Sequence, residues 1–318
     1  MDEFEIIAGI FAPLAGEGAF GLKDDAAIIA ARPGFDLVVT TDAIAEGTDF
    51  FAFDPAPMVA QKALRVNLSD LAAKGAEPRA YLLNIALPPS TDVNWLRGFA
   101  AGLASDQAAF RVSLLGGDTA RTEGPLSIAV TAFGFVPEGG MLRRSGACPG
   151  DGIYVTGTIG DSGGGLAIFK REKHALTDAQ RDELIARYRL PAPPVFFGSR
   201  LRGLANATVD VSDGLVADLS HVAQASDVQM VLDAAAIPRS AALRAFWGDD
   251  AAAIIRAVTA GDDYQIAFSA TDHDAVMRAA REAGVLVTRI GEARAGQGVE
   301  LLLDGVPLAV TRPGYRHF

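Results

Sequence analysis

The sequence predicts an α+β protein of two mixed α/β domains, on three observations. The chain has 318 residues, half of them hydrophobic, enough to bury two cores of ordinary size. Its strand-like and helix-like segments do not alternate as strict βαβ units, which favours two packed layers over a doubly wound parallel sheet. A turn-rich stretch from Arg143 to Gly152, with Cys148-Pro149-Gly150-Asp151-Gly152 inside it, divides the chain into 1–148 and 149–318.

In order, residues 26–31 and 36–41 read as short strands around the turn Arg32-Pro33-Gly34. Residues 57–75 read as a helix: Met58, Val59, Ala63, Leu64, Val66, Leu68 and Leu71 recur at helical spacing, and Gly75 supplies a stop. A strand is predicted over 81–87, then a helix over 91–110 capped by Ser90 or Thr91. Residues 112–115 form a strand running into Gly116-Gly117-Asp118-Thr119, and 126–136 a longer one. In the second half, strands are predicted at 153–156, 207–211, 228–232, 264–268, 285–290 and 299–303. Helices are predicted from Leu166 onward and at 177–188, 195–204, 215–225 and 274–283. The glycine-rich loop Gly160 to Gly165 fits either a phosphate-binding helix start or a tight turn with close helix packing.

Composition excludes several function classes. The formal charge of −11 repels nucleic acid and anionic membrane surfaces. Anionic substrates remain possible through local Arg residues, backbone N–H groups or metal ions. Cys148 is the only cysteine, so neither an intrachain disulfide nor a cysteine zinc cluster can form. The start Met1-Asp2-Glu3-Phe4-Glu5 is not a signal peptide, and no apolar segment approaches the roughly 20 residues of a membrane span. A cytoplasmic location is expected.

The informative feature is the placement of aspartates. Asp24-Asp25 precede a strand, Asp42 and Asp118 follow strands, Asp210 ends one, Asp213 lies at a helix start, and Asp70 sits in an apolar helix. A carboxylate beside buried apolar strands must be paired, hydrogen-bonded or metal-bound. Singly, Asp213 reads as a helix cap and Asp42 as an Asx turn. Together, with few Lys or Arg at matching strand ends, the set reads as oxygen ligands for a hard cation such as magnesium, and so as a polyphosphate site. No G-x-x-x-x-G-K-[ST], G-x-G-x-x-G or G-x-S-x-G sequence is present. The histidines, His174, His221, His273 and His317, suggest no nucleophilic machinery.

Several segments carry a specific resemblance. They are Lys23-Asp24-Asp25-Ala26-Ala27, Thr40-Thr41-Asp42, the run from Lys62 to Ala76 (KALRVNLSDLAAKGA) and Gly116-Gly117-Asp118-Thr119. Later come Arg144-Ser145-Gly146-Ala147, Val155 to Ser162, Asp210-Val211-Ser212-Asp213-Gly214-Leu215 and Gly261-Asp262-Asp263-Tyr264. In this order and spacing the chain resembles the thiamine-monophosphate kinase family, in the superfamily of aminoimidazole ribonucleotide synthetase and selenophosphate synthetase.

The resemblance implies an ATP-dependent, magnesium-assisted phosphorylation of thiamine monophosphate. It implies metal ligands at Asp25, Thr40, Thr41, Asp42, Asp70, Asp118, Asp210 and Asp213, for several magnesium ions. It implies ATP contacts at Gly117, Asp118, Arg144 and Ser212, and substrate contacts at Asp262 and Tyr315. It also implies a homodimer whose N-terminal sheets join into a shared barrel, with the C-terminal domain completing the active site. Two positions depart from the family pattern. Asp49 stands where a substrate-contacting histidine is usual, and Asp262 where glutamate is usual. The rivals are a sister ATP-dependent synthetase and a non-catalytic nucleotide-binding protein on the same fold. A selenophosphate-type enzyme wants a reactive cysteine near the N-terminus, whereas Cys148 lies mid-chain.

Overall fold

A computed structural model describes residues 3–315; Phe318, an aromatic candidate for stacking on the substrate ring, lies outside them. The chain forms two compact units, Met1–Leu71 with Ala76–Gly140, and Ala72–Gly75 with Met141–Phe318.

The first unit is built on strands β1 (Phe35–Ala45), β2 (Glu77–Leu87), β3 (Ser113–Arg121) and β4 (Ser127–Pro137), in the order β1-β4-β2-β3. Neighbours are antiparallel except β2 and β3, which run parallel across the helix Val93–Phe110. That helix is capped by Asp92, whose carboxylate accepts the N–H groups of Asn94 and Trp95, not by Ser90 or Thr91. Asp92 is one residue closer to the first helical turn, where a side-chain oxygen reaches N2 and N3.

The helix Ala56–Ala73 has no exposed residue, as its nearly continuous apolar run demands. Its polar side chains are spent inside the unit. Lys62 is 2% exposed and donates to the Asp49 carbonyl at 2.7 Å. Arg65 forks onto buried Asp106 at 2.7 and 2.8 Å, and Gln61 donates to the same carboxylate at 2.8 Å.

Strand β1 buries Val38 and Ile44 on one face but leaves Leu37 45% and Val39 53% exposed on the other. Strand β3 does not stop at the glycines but continues through them to Arg121, with an irregularity opposite Tyr81 and Leu82. Residues 26–31, expected to be a strand, carry no ladder: Ile28 donates its N–H to the Gly18 carbonyl instead.

The second unit has a seven-stranded sheet in the order β11-β10-β7-β9-β5-β8-β6. Its strands are β5 (Gly152–Thr156), β6 (Ala205–Asp210), β7 (Gln229–Asp233), β8 (Ile266–Ala270), β9 (Val287–Arg294), β10 (Gly298–Leu303) and β11 (Val306–Pro307). Only β7 and β10 pair in parallel. Side chains alternate between two cores. Ile153, Val155, Ala207, Val209 and Ala267 join Leu215, Leu219 and Val222 of the helix Leu215–Ser226. Tyr154, Phe268 and Ala205 join Val276 and Ala280 of the helix His273–Ala283. Being covered on both faces, β5 and β8 are buried throughout and read as continuous apolar runs.

Two features of this unit were not legible. The helices Ala241–Trp247 and Ala251–Val258 are short, and the sequence pattern assigns no element there. The helix expected from Leu166 begins at Asp161, so Gly163, Gly164 and Gly165 are helical. Their bare backbones allow close approach: a Cβ on Gly165 would lie 2.2 Å from the Leu184 carbonyl of the helix Asp178–Arg189. Gly164 and Gly165 thus allow close packing on the helix Asp178–Arg189.

Candidate active site

The candidate residues fall in both units, and each group is positioned by its own unit. In the first, β1 presents Thr40 and Asp42 toward the helix Ala56–Ala73. The Thr40 hydroxyl donates to the Asp70 carboxylate at 2.5 Å, and the Asp42 backbone N–H donates to Asn67 Oδ1 at 3.0 Å. Asn67 is fully buried and anchored by its own amide on the Ala63 carbonyl at 3.0 Å. The motif therefore works as a brace: Asn67 holds the β1 backbone, and its neighbours Asp70 and Thr40 face each other. Thr41 points the other way and donates to the Val130 carbonyl at 3.1 Å. Asp42 itself is exposed.

Gly117 and Asp118 lie on β3. Gly117 has φ of +151°, and a Cβ there would lie 1.7 Å from the Leu83 carbonyl, so only glycine fits beside β2. Asp118 is exposed. Two strands, β4 and β2, separate β1 from β3. At about 4.8 Å per strand, Asp42 and Asp118 sit on opposite sides of the sheet's width, about 14 Å apart. One chain's sheet brings Thr40 and Asp70 together but keeps Asp118 away from them.

Asp25 is exposed in the irregular segment, next to Asp24, which accepts the Asp25 N–H at 2.9 Å. Asp49 closes the turn after β1, its Oδ2 accepting the Ala45 N–H at 2.8 Å.

In the second unit the candidates converge on the loop between β6 and the helix Leu215–Ser226. Asp210 is buried at the end of β6. Ser212 and Asp213 follow, half-buried. The Asp262 N–H donates to the Ser212 carbonyl at 2.7 Å, and the Tyr315 N–H to the Asp213 carbonyl at 2.9 Å. Arg144 is exposed, on a segment pinned by Ser226, whose hydroxyl donates to the Arg144 carbonyl at 3.2 Å and accepts the N–H groups of Gly146 and Ala147.

Two acids of this region went unnoticed in the sequence. Asp218 is buried and its Oδ2 accepts the N–H groups of Ser212, Asp213 and Gly214. Burial, with the nearby Asp213 charge, pushes its carboxyl up to about 7, against the pull of those three amides. Asp263 accepts the Gly160 N–H at 2.6 Å, and its burial raises its carboxyl well above the ordinary range. The signal for Asp218 was an acid flanked by Ala217 and Leu219; Asp263 sits beside another acid, Asp262, inside a recognisable motif, and nothing local marks it as the buried one of the two.

Among the described residues no three His, Cys, Asp or Glu side chains form a metal cage. Magnesium needs no such cage, since it binds through one or two carboxylates and completes its shell with phosphate oxygens and water. The donors on β1 and the Ala56–Ala73 helix, Thr40, Asp42 and Asp70, are all oxygen, which fits a hard cation and not a thiophilic one.

Residues 23–136 match the family described as AIR synthase related protein, N-terminal domain, and residues 148–304 its C-terminal domain. The thiamine-monophosphate kinase of Caulobacter vibrioides is 42% identical over 322 residues, covering 99% of this chain and 90% of that protein. The chain belongs to the thiamine-monophosphate kinase family of AIR synthase related proteins. Among solved members of this family, the thiamine-monophosphate kinase from Stenotrophomonas maltophilia is 41% identical, with a TM-score of 0.83 over 90% of this chain and 91% of that one. AaThiL complexed with AMPPCP and TMP is 30% identical, with a TM-score of 0.79 over 99% of this chain and 97% of that one. The family match spans both units.

Proposed function

We propose that this chain is a thiamine-phosphate kinase, which moves the γ-phosphoryl group of ATP onto thiamine monophosphate to give thiamine diphosphate. The observation that carries the reading is the end-to-end similarity to AaThiL, a protein solved with both AMPPCP and TMP. The 42% identity to the Caulobacter kinase supports the same activity. The acceptor phosphate has its second pKa near ~6 and is largely ionised at neutral pH. No general base is required, and the site residues include no histidine or lysine to act as one. The obstacle is repulsion between two anions, and magnesium supplies charge neutralisation there when bound.

In this reading Asp25, Thr40, Thr41, Asp42, Asp70, Asp118, Asp210 and Asp213 hold the cations. Gly117, Asp118, Arg144 and Ser212 hold the nucleotide. Asp49, Asp262 and Tyr315 face the acceptor. Residues 1–148 supply most of the metal and nucleotide contacts, and 149–318 complete the site. The transfer is direct and in-line, with no phosphoenzyme. The location is the cytoplasm; no helix among the described residues is long and apolar enough to cross a membrane.

The distance between Asp42 and Asp118 supports a homodimer with a shared barrel. Closing two four-stranded sheets places the β3 edge of one copy beside the β1 edge of the other, which brings Gly117 and Asp118 to Thr40 and Asp42. The exposed Leu37 and Val39 on β1 then line the barrel interior. Val39→Lys is expected to convert a dimer to a monomer in light scattering and to remove activity with it. A wild-type chain that is monomeric and active at micromolar concentration would contradict the barrel.

The activity itself is tested by ATP consumption with thiamine monophosphate, thiamine and an aminoimidazole ribonucleotide precursor in parallel. Turnover is expected with thiamine monophosphate alone. Turnover with thiamine and not its phosphate would overturn the acceptor.

A further inference from the structure

The loop between β6 and the helix Leu215–Ser226 is bonded on two sides. On its inner side, one oxygen of Asp218 accepts three consecutive backbone N–H groups, from Ser212 at 3.0 Å, Asp213 at 3.1 Å and Gly214 at 3.1 Å. Asp218 stands on the first turn of the helix and is 3% exposed, so water cannot replace it. On its outer side the carbonyls of the same loop receive other chain segments. Ser212 accepts the Asp262 N–H at 2.7 Å, and Asp213 accepts the Tyr315 N–H at 2.9 Å. Val211 adds a reciprocal pair, accepting from Tyr264 and donating to the Gln265 carbonyl, both at 2.7 Å.

Both visiting segments approach through glycine. A Cβ on Gly261 would lie 2.6 Å from the Ser212 carbonyl, and one on Gly314 would lie 2.5 Å from the Asp213 carbonyl. The Asp262 segment is also strained: Asp262 has φ of +68° and Tyr264 of +50°. Non-glycine residues in that region are strained and persist only where their surroundings dictate them. The surroundings here are the loop carbonyls, whose direction is fixed by the amides that Asp218 holds.

We infer that Asp218 is the positioning residue of this site: by gathering the amides of Ser212, Asp213 and Gly214 it sets the loop on which the nucleotide contact Ser212, the cation ligand Asp213 and the acceptor-side residues, Asp262 and Tyr315, are registered together. The inference rests on the roles proposed above for those four residues. A peptide plane is rigid, so an amide turned toward Asp218 fixes where the carbonyl of the preceding residue points. Loss of the acceptor strands three amides on the inner side of a partly buried loop. They then turn to find other partners, and both sets of contacts move. A displacement of about 1 Å at such a site can cost about 10²-fold in rate.

The test compares wild type with Asp218→Asn and Asp218→Ala, and uses Ser212→Ala and Asp262→Asn as one-sided controls. The readouts are KM for ATP, KM for thiamine monophosphate, kcat, the unfolding midpoint, and amide hydrogen exchange over residues 211–215 and 261–265. Asp218→Asn keeps the shape and one acceptor oxygen, so it serves even if Asp218→Ala does not fold. The expected result is that Asp218→Asn raises both KM values about fivefold or more, lowers kcat about tenfold or more, and speeds exchange in both segments. Ser212→Ala should raise KM for ATP alone, and Asp262→Asn that for thiamine monophosphate alone. If the controls behave so while Asp218→Asn keeps both KM values within about twofold of wild type, with only a lower midpoint, Asp218 is a helix brace and the inference is wrong. If the controls move neither KM, the roles assigned to Ser212 and Asp262 are wrong, and the inference, which rests on them, falls with them whatever Asp218→Asn does.

Discussion

Asp118→Asn and Asp42→Asn are each expected to lower kcat/KM by about 10²-fold or more, without loss of folded protein. Losing one carboxylate's charge from a site that must reconcile two anionic phosphates removes about 3 kcal/mol or more of transition-state stabilisation. Asp42 and Asp118 are exposed on their strands, and the hydrogen bond that fixes Asp42 runs from its backbone to Asn67, which the substitution leaves alone. The unfolding midpoint should hold or rise, because like charges at one site repel. Steady-state kinetics at ordinary magnesium concentration, with a thermal melt on the same samples, read both effects. If either variant keeps near-wild-type activity, that aspartate is not a ligand.

Asp106→Ala is expected to do the reverse, destabilising the first unit by about 3–5 kcal/mol. Asp106 is completely buried and takes a bidentate contact from Arg65 and a hydrogen bond from Gln61. Removing it leaves a guanidinium, 15% exposed, without its counter-charge. Urea titration followed by circular dichroism should show the transition moving to lower denaturant. A shift below about 1 kcal/mol would mean that Arg65 finds a new partner at little cost.

The Arg65 contact also shows what a linear reading can and cannot supply. The run from Lys62 to Asp70 is recognisable as a motif, but its sequence assigns no role to its cations. In the structure Lys62 and Arg65 are internal braces, on Asp49 and Asp106. A motif fixes residue types and spacing, whereas the direction of each side chain follows from the helix's orientation in the unit.

The long elements were legible because burial writes a period into them. The helix Ala56–Ala73 and strands β2 and β4 fall within a few residues of where the pattern places them. The segment 26–31 has the apolar composition of a strand but joins no ladder, and ladder pairing is not a local property. The helices at 241–247 and 251–258 are too short for a helical period to stand out. The acids of the site were legible one by one. Their division between β1 and β3 was not, because strand order in a sheet depends on contacts far apart in sequence. Asp218 was missed for a related reason: an acid in a helix's first turn looks like an ordinary N-terminal charge until the three amides it gathers are seen.

The most direct test of direct phosphoryl transfer to a phosphorylated acceptor is to follow the label from ATP carrying radioactive γ-phosphorus. With thiamine monophosphate and magnesium, all transferred label should appear in the terminal phosphate of thiamine diphosphate, with none held on the protein after rapid acid quench. Label trapped on an aspartate, or label delivered to thiamine in preference to its phosphate, would contradict the account.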